Sequence, residues 1–265
     1  MQRIVIKLGT SSLTKGTRKL SLPQMVEFAR QLALLHGGGH EVILVCSGAI
    51  AAGKELLPHL KLDETLPPKQ MLASIGQVRL MQIWTELFGI YGTTISQILL
   101  TKNDFSDPKS YSNAQNTFLA LLKHRIFPIV NENDTVATDE ISLGDNDNLS
   151  SHVARLVGAD LLVLLTDQEG LYTHDPRIHP DAKLIPEIEK VDAHILALAT
   201  GSSHPEKLGT GGMATKLEAA RVASEEGIAT IISSALTPNV LLDIVAGKPV
   251  GTRFSPQRQR PKNPV

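Results

Sequence analysis

Several things are scarce in this chain. It holds one cysteine among 265 residues, which excludes an internal disulfide and fits a reducing compartment. That residue, Cys46, ends the apolar run Val42-Ile43-Leu44-Val45, where a small buried hydrophobe is expected rather than a nucleophile. Neither charge dominates: 26 Lys and Arg stand against 27 Asp and Glu. With the two signs interspersed, neither a nucleic-acid groove nor a polybasic membrane surface is expected. The local exception, Arg253 to Lys262, is rich in Arg, Gln and Pro and reads as a frayed terminus. No apolar stretch approaches the ~20 residues that span a bilayer, and the N-terminus has no apolar signal core. Internal repeats, low-complexity tracts and a convincing linker are missing as well. What remains is a soluble cytoplasmic protein, read as one domain over residues 1–255 with a flexible tail at 256–265.

What is present is alternation. Strands are predicted at Arg3–Lys7, Glu41–Cys46, Thr94–Leu100, Phe127–Asn131, Leu161–Thr166 and Ala229–Ser233, each rich in β-branched or aliphatic residues. Helices are predicted between them, at Pro23–Leu35, Ile50–Leu57, Lys69–Phe88, Asn113–Lys123, Asn148–Val157 and Met213–Glu226. In the first helix Val26, Ala29, Leu32 and Ala33 recur at helical spacing, and Gly37-Gly38-Gly39 stops it. Such alternation predicts an α/β fold: an open, mainly parallel sheet with helices on both faces. Thr135–Leu143 reads as a hairpin projecting from the sheet, and Thr173–Pro186 as an irregular surface loop.

Ligands in open parallel sheets bind at the carboxyl ends of the strands, and polar or glycine-rich segments recur there. Lys7-Leu8-Gly9-Thr10-Ser11 follows the first strand. It fits an anion site, or a surface lysine snorkelling from an edge strand. After the second strand, Ser47-Gly48-Ala49-Ile50 leads into a helix, as a carboxylate or phosphate cradle or an ordinary serine cap. Asn131-Glu132-Asn133-Asp134 and Gly144-Asp145-Asn146-Asp147-Asn148 surround the fourth strand and hairpin. An EF-hand loop counted from Asp145 fails, because Ser150 and Leu156 stand where glycine and glutamate are required. A solvated acidic loop and a zwitterion site stay open, and Asp147, near a helix start, could cap that helix or orient a lysine. Thr166-Asp167 ends the fifth strand, suited to a sugar or base, or to a turn. Gly209-Thr210-Gly211-Gly212-Met213-Ala214-Thr215-Lys216 opens a helix, as a phosphate cradle or a flexible loop. It is no P-loop, since Leu217 follows Lys216 where a hydroxyl is needed. Nor is it a dinucleotide fingerprint, since Thr215 holds the last glycine's place.

Phosphoryl transfer needs positive charge on the moving group and alignment of the nucleophile. Lys7 and Lys216, oriented by Asp147, would supply the first; the Asn131–Asp134 and Asp145–Asn148 segments would supply the second. As a set, in order and spacing from Arg3 to about Phe254, these motifs resemble the amino-acid kinase family, most closely its glutamate-phosphorylating members. The resemblance implies ATP-dependent phosphorylation of the glutamate side-chain carboxylate, the first step of proline biosynthesis. It implies Lys7 and Lys216 as phosphate-stabilising lysines and Asp147 as their organiser. Ser47, Asn131, Asp134 and Asn146 match glutamate-binding positions. Lys7, Gly9, Thr166, Asp167 and the stretch Thr210, Gly211, Gly212, Met213, Ala214, Thr215 and Lys216 match nucleotide-binding ones. Magnesium would be held mainly by the ATP phosphates, with no protein ligand assigned. The resemblance further implies feedback inhibition by proline, a homodimer or homotetramer, and delivery of product to glutamate-5-phosphate reductase. Many bacterial members carry a C-terminal PUA domain, for which this chain has no room. Kinases of N-acetylglutamate, aspartate or uridylate, or a non-catalytic amino-acid sensor, are the alternatives.

Overall fold

The computed structural model describes residues 1–63, 65–137, 146–200 and 212–257. In chain order the elements are β1 (Arg3–Leu8), α1 (Thr10–Thr14), α2 (Leu22–Gly37), β2 (Glu41–Cys46), α3 (Ala49–Leu56) and α4 (Leu66–Gly89). Then follow β3 (Ile95–Leu100), α5 (Lys102–Ser106), α6 (Pro108–Lys123), β4 (Phe127–Glu132), α7 (Asn146–Val157) and β5 (Leu161–Thr166). The last are β6 (Glu187–Ile188), α8 (Ala193–Thr200), α9 (Met213–Glu225), β7 (Ala229–Ser234), α10 (Val240–Val245) and β8 (Thr252–Phe254). The described strands form one sheet in the order β3-β4-β2-β1-β5-β7-β8-β6. Every pairing is parallel except β7 with β8.

Buried strands in a two-sided sheet need apolar residues on both faces, and β1 shows why. Ile4, Ile6 and Leu8 point into a core shared with Phe28 and Leu32 of α2 and with Trp84 and Phe88 of α4. Val5 points the other way, into a core with Leu149 and Val153 of α7 and Leu217 and Ala220 of α9. The period of two therefore sends Lys7 to the α7–α9 face. Strand β1 lies centrally, with Lys7 in register with Val45 of β2 and Leu164 of β5. The chain leaves β1 toward β2 on one side and returns to it with β5 on the other. Lys7 thus ends a strand at the point where the order reverses, the usual ligand crevice of such sheets.

All six predicted strands are present, β2 and β5 with the predicted ends. Short pieces escaped prediction: α1, α5, α8, α10, β6 and β8, most of them too brief to establish a period. Three expectations are corrected. Lys7 does not snorkel from an edge, because its strand is central and the residue is 3% exposed. Val26 is exposed, since the buried stripe of α2 runs through Met25, Phe28, Ala29 and Leu32, an equally good helical spacing one residue away. Arg253 and Phe254 are not frayed: they help form β8, Phe254 is fully buried, and the Gln257 backbone N–H donates to the Ser224 carbonyl. Of the hairpin expected at Thr135–Leu143, residues 138–143 lie outside the described residues; the preceding ones form a turn. The loop at Thr173–Pro186 is irregular, as expected.

Candidate active site

Two neighbouring polar clusters stand on the rim at the carboxyl end of β1. The first is ionic. Asp147, in the first turn of α7, is fully buried. Lys7 Nζ lies 2.6 Å from its Oδ1, and Lys216 Nζ lies 2.9 Å from its Oδ2. Thr215 Oγ1 donates to the same Oδ2 at 2.9 Å. Both lysines are almost wholly buried, at 3% and 4% exposure. Burying charge is costly unless it is paired and hydrogen-bonded, and one carboxylate here engages two ammoniums from opposite ends of the chain. The helix N-terminus adds partial positive charge beside that carboxylate. Lys216 reaches it because α9 packs on α7, with Ala219, Ala220 and Ala223 in the same core as Val153 and Ala154. Gly9, just before α1, keeps the space beside Lys7 open: a β-carbon there would lie 3.3 Å from Lys7 Nζ.

The second cluster is a chain of amides. Asn146, next to Asp147 on α7, donates from Nδ2 to Ser47 Oγ at 2.7 Å and to Asn131 Oδ1 at 2.9 Å. Asn131 Oδ1 also accepts from the Glu132 backbone N–H, and Asn131 Nδ2 donates to Gln77 Oε1, each at 2.9 Å. Three residues after Asn131, Asp134 sits half-buried in the turn beyond β4. Burial pushes its carboxyl up to about 6. A desolvated carboxylate of this kind gains most from an ammonium ligand.

The structure thus joins Lys7, Asp147, Thr215 and Lys216 in one cluster, and Ser47, Asn131 and Asn146 in another; consecutive residues of α7 link the two. Thr166 and Asp167 share the rim at the end of β5, one strand from Lys7, and Thr166 Oγ1 donates to Asp167 Oδ1 at 3.0 Å. Gly212, Met213 and Ala214 lead into and begin α9. Thr210 and Gly211 lie outside the described residues. Sequence reasoning missed Gln77. The available signal was a glutamine within the apolar stripe Ala73, Leu80 and Trp84 of α4, because a buried amide needs a partner.

A parallel sheet with its polar site at the reversal of strand order, built on paired lysines, defines a class of small-molecule kinase. The model of the amino acid kinase family matches residues 2–234, and the chain belongs to that family. Among solved structures, the carbamate kinase from Giardia lamblia bound to AMP-PNP has a TM-score of 0.68 at 19% identity, covering 96% of this chain and 98% of that one. The UMP kinase from Bacillus anthracis has a TM-score of 0.64 at 16% identity, covering 97% of each. Within the family, the glutamate 5-kinases of Pasteurella multocida and Photobacterium profundum are 52% and 55% identical to this chain. They match over 97% and 96% of it, and over 70% and 67% of their own lengths. By that likeness the chain is one of the glutamate 5-kinases.

Proposed function

We propose that the two clusters divide the work of transferring a phosphoryl group from ATP to the side-chain carboxylate of L-glutamate. The reading is carried by one observation: Lys7 and Lys216 lie on the two oxygens of the same buried carboxylate. In the reaction a glutamate carboxylate oxygen attacks the γ-phosphorus, the bond to the β–γ bridging oxygen breaks, and ADP leaves as glutamyl 5-phosphate forms. The substrate brings the nucleophile, so the protein supplies alignment and charge. Lys7 and Lys216 face the transferring group and the leaving oxygen, while Asp147 and the Thr215 hydroxyl fix their direction. Gly9, Thr166, Asp167 and the start of α9 from Gly212 to Thr215 are assigned to the nucleotide. The carbamate kinase sharing this fold was solved with AMP-PNP, which agrees with a nucleotide on this rim. Magnesium is assigned to the nucleotide phosphates, because Asp147 is engaged by two ammoniums. No group of three or more His, Cys, Asp or Glu among the described residues could hold a metal.

The amide cluster and Asp134 are assigned to glutamate. Ser47, Asn131 and Asn146 offer donors and acceptors to the carboxylates, and Asp134 offers its charge to the α-ammonium. This last feature favours a free amino acid over N-acetylglutamate, whose nitrogen carries no charge. Proline has the same zwitterionic backbone, which supports competitive feedback at this site. The product is an acyl phosphate prone to hydrolysis, so a reductase consuming it, such as glutamate-5-phosphate reductase, fits as the next step.

Trapping acyl phosphate with hydroxylamine tests the reading, with ATP and each of glutamate, N-acetylglutamate and aspartate, with and without proline. Hydroxamate should form with glutamate and fall on adding proline. Lys216→Ala should lower kcat by roughly 10²–10³-fold with little change in the KM for glutamate, because its charge is needed most in the transition state. Near-normal turnover of that variant would remove Lys216 from the assigned role.

A further inference from the structure

Helix α4 makes two polar contacts with the acceptor side of the site, seven residues apart. Gln77 Oε1 accepts from Asn131 Nδ2 at 2.9 Å, and Gln70 Nε2 donates to the Ala137 carbonyl at 2.9 Å. A spacing of seven puts both glutamines on one face of the helix, two turns apart. Between Asn131 and Ala137 lies the turn that carries Asp134. The helix therefore clasps both ends of the acceptor segment. It is itself fixed to α3 by a backbone crossing at Gly53 and Gly76: a β-carbon on Gly76 would lie 1.8 Å from the Ala49 carbonyl oxygen. Ser47 stands two residues before α3. A closed circuit results, running Ser47, Asn146, Asn131, Gln77, then through the α4–α3 crossing back to Ser47.

The direction of the hydrogen bonds gives Gln77 its importance. An amide can present either its oxygen or its NH₂ to a neighbour. The Glu132 backbone N–H, which can only donate, and the Gln77 oxygen, which can only accept, together turn the Asn131 NH₂ toward α4 and its oxygen toward Asn146. Asn146 then spends its NH₂ on Asn131 and Ser47, which directs its oxygen away from them. Ser47 Oγ, having accepted, keeps its proton to donate. A buried side chain of α4, with the Glu132 backbone N–H, thereby holds three groups of the acceptor site in one polarity.

We propose that Gln77 is a positioning residue for glutamate, acting through Asn131 and Asn146 and seated by α4. The inference rests on the assignment of Asn131 and Asn146 to glutamate made above. Gln77→Met keeps the length and burial of the side chain but offers no comparable acceptor. It should raise the KM for glutamate about tenfold, a cost of about 1.4 kcal/mol, with kcat within about twofold and the KM for ATP unchanged. Equilibrium binding of glutamate without nucleotide should weaken by the same factor. Gln77→Asn, one methylene too short to reach Asn131, should behave alike, and serves if the methionine variant does not fold.

A double-mutant cycle with Asn131→Leu completes the test. If Gln77 acts through Asn131, adding Gln77→Met to Asn131→Leu should raise the glutamate KM by less than about twofold further. A full tenfold in that background would overturn the proposal, as would an unchanged KM in Gln77→Met. A loss of kcat and of ATP affinity equal to the loss for glutamate would also overturn it, because that marks general damage to the fold. If Asn131→Leu alone leaves glutamate binding intact, the acceptor-site assignment fails; if Asn131→Leu weakens binding and Gln77→Met does not, only the present inference fails.

Discussion

Asp134, half-buried, and Cys46, fully buried, are both acids raised by desolvation, and their surroundings give them opposite prospects. The Cys46 thiol is pushed up to about 12 by complete burial, which leaves it protonated and inert. This agrees with its reading as a small hydrophobe. Asp134 is pushed only to about 6, so near pH 7 it is mostly ionised and poorly solvated. Its ordinary value is 3.8. Between about pH 4 and pH 6 the folded chain holds a proton that the unfolded chain has released, so this group's contribution to stability falls as pH rises through that window. Asp134→Asn removes the buried charge and should raise Tm at pH 7 by roughly 2–5 °C, with a smaller gain at pH 5. The same change should raise the KM for glutamate at least tenfold, because the α-ammonium loses its counter-charge, while the KM for ATP stays near normal. Thermal melts at the two pH values, with steady-state kinetics at pH 7, check both halves. A variant no more stable than the parent at pH 7 would mean that the carboxylate is already well solvated.

At the scale of elements, the crossing of α3 and α4 sets how well the acceptor side is held. Gly76 meets the Ala49 carbonyl, and a β-carbon on Gly53 would lie 2.1 Å from the Leu72 carbonyl oxygen. Backbone cannot yield as a flexible side-chain tip can. Gly76→Ala should therefore force the helices apart, destabilise the protein by about 1–3 kcal/mol and raise the glutamate KM. Gly89→Ala, at the end of the same helix with nothing within 4 Å of the added carbon, should leave both unchanged. Chemical denaturation and kinetics of the pair separate a packing effect from one of helix propensity. The crossing also marks the limit of what the sequence discloses. Strands β2 and β5 were readable to the residue because five consecutive apolar positions in β2 and six apolar or β-branched ones in β5 leave few alternatives. The face on which Lys7 lies follows from a period of two. Contacts such as Asn131 with Gln77, 54 positions apart, depend on tertiary distance and on which way an amide points, and neither has a local signature. The pairing of Lys7 with Lys216 through Asp147 was expected from the motifs; the part played by Thr215 in it was not.

Across the whole molecule the site is assembled from residues as far apart as Lys7 and Lys216, carried on β1, β2, β4, α7 and α9. Ligands that bridge such elements bind the folded chain and not the unfolded one, so each should stabilise it by mass action. A ligand at 100 times its Kd adds about 2.7 kcal/mol, and at roughly 2–4 °C per kcal/mol for a chain of this size that is a readily measured rise in Tm. The proposed division into an ionic nucleotide side and an amide acceptor side then makes a crossed prediction. Lys216→Ala should lower the Tm rise produced by magnesium AMP-PNP, by less than its effect on kcat would imply, and keep that produced by glutamate. Asp134→Asn should keep the nucleotide's rise and lose glutamate's. Melts of the parent and both variants, with each ligand alone, supply the comparison without turnover. Should both variants lose both rises equally, the two clusters would be one inseparable site, and the assignment of separate roles to Lys216 and Asp134 would fall.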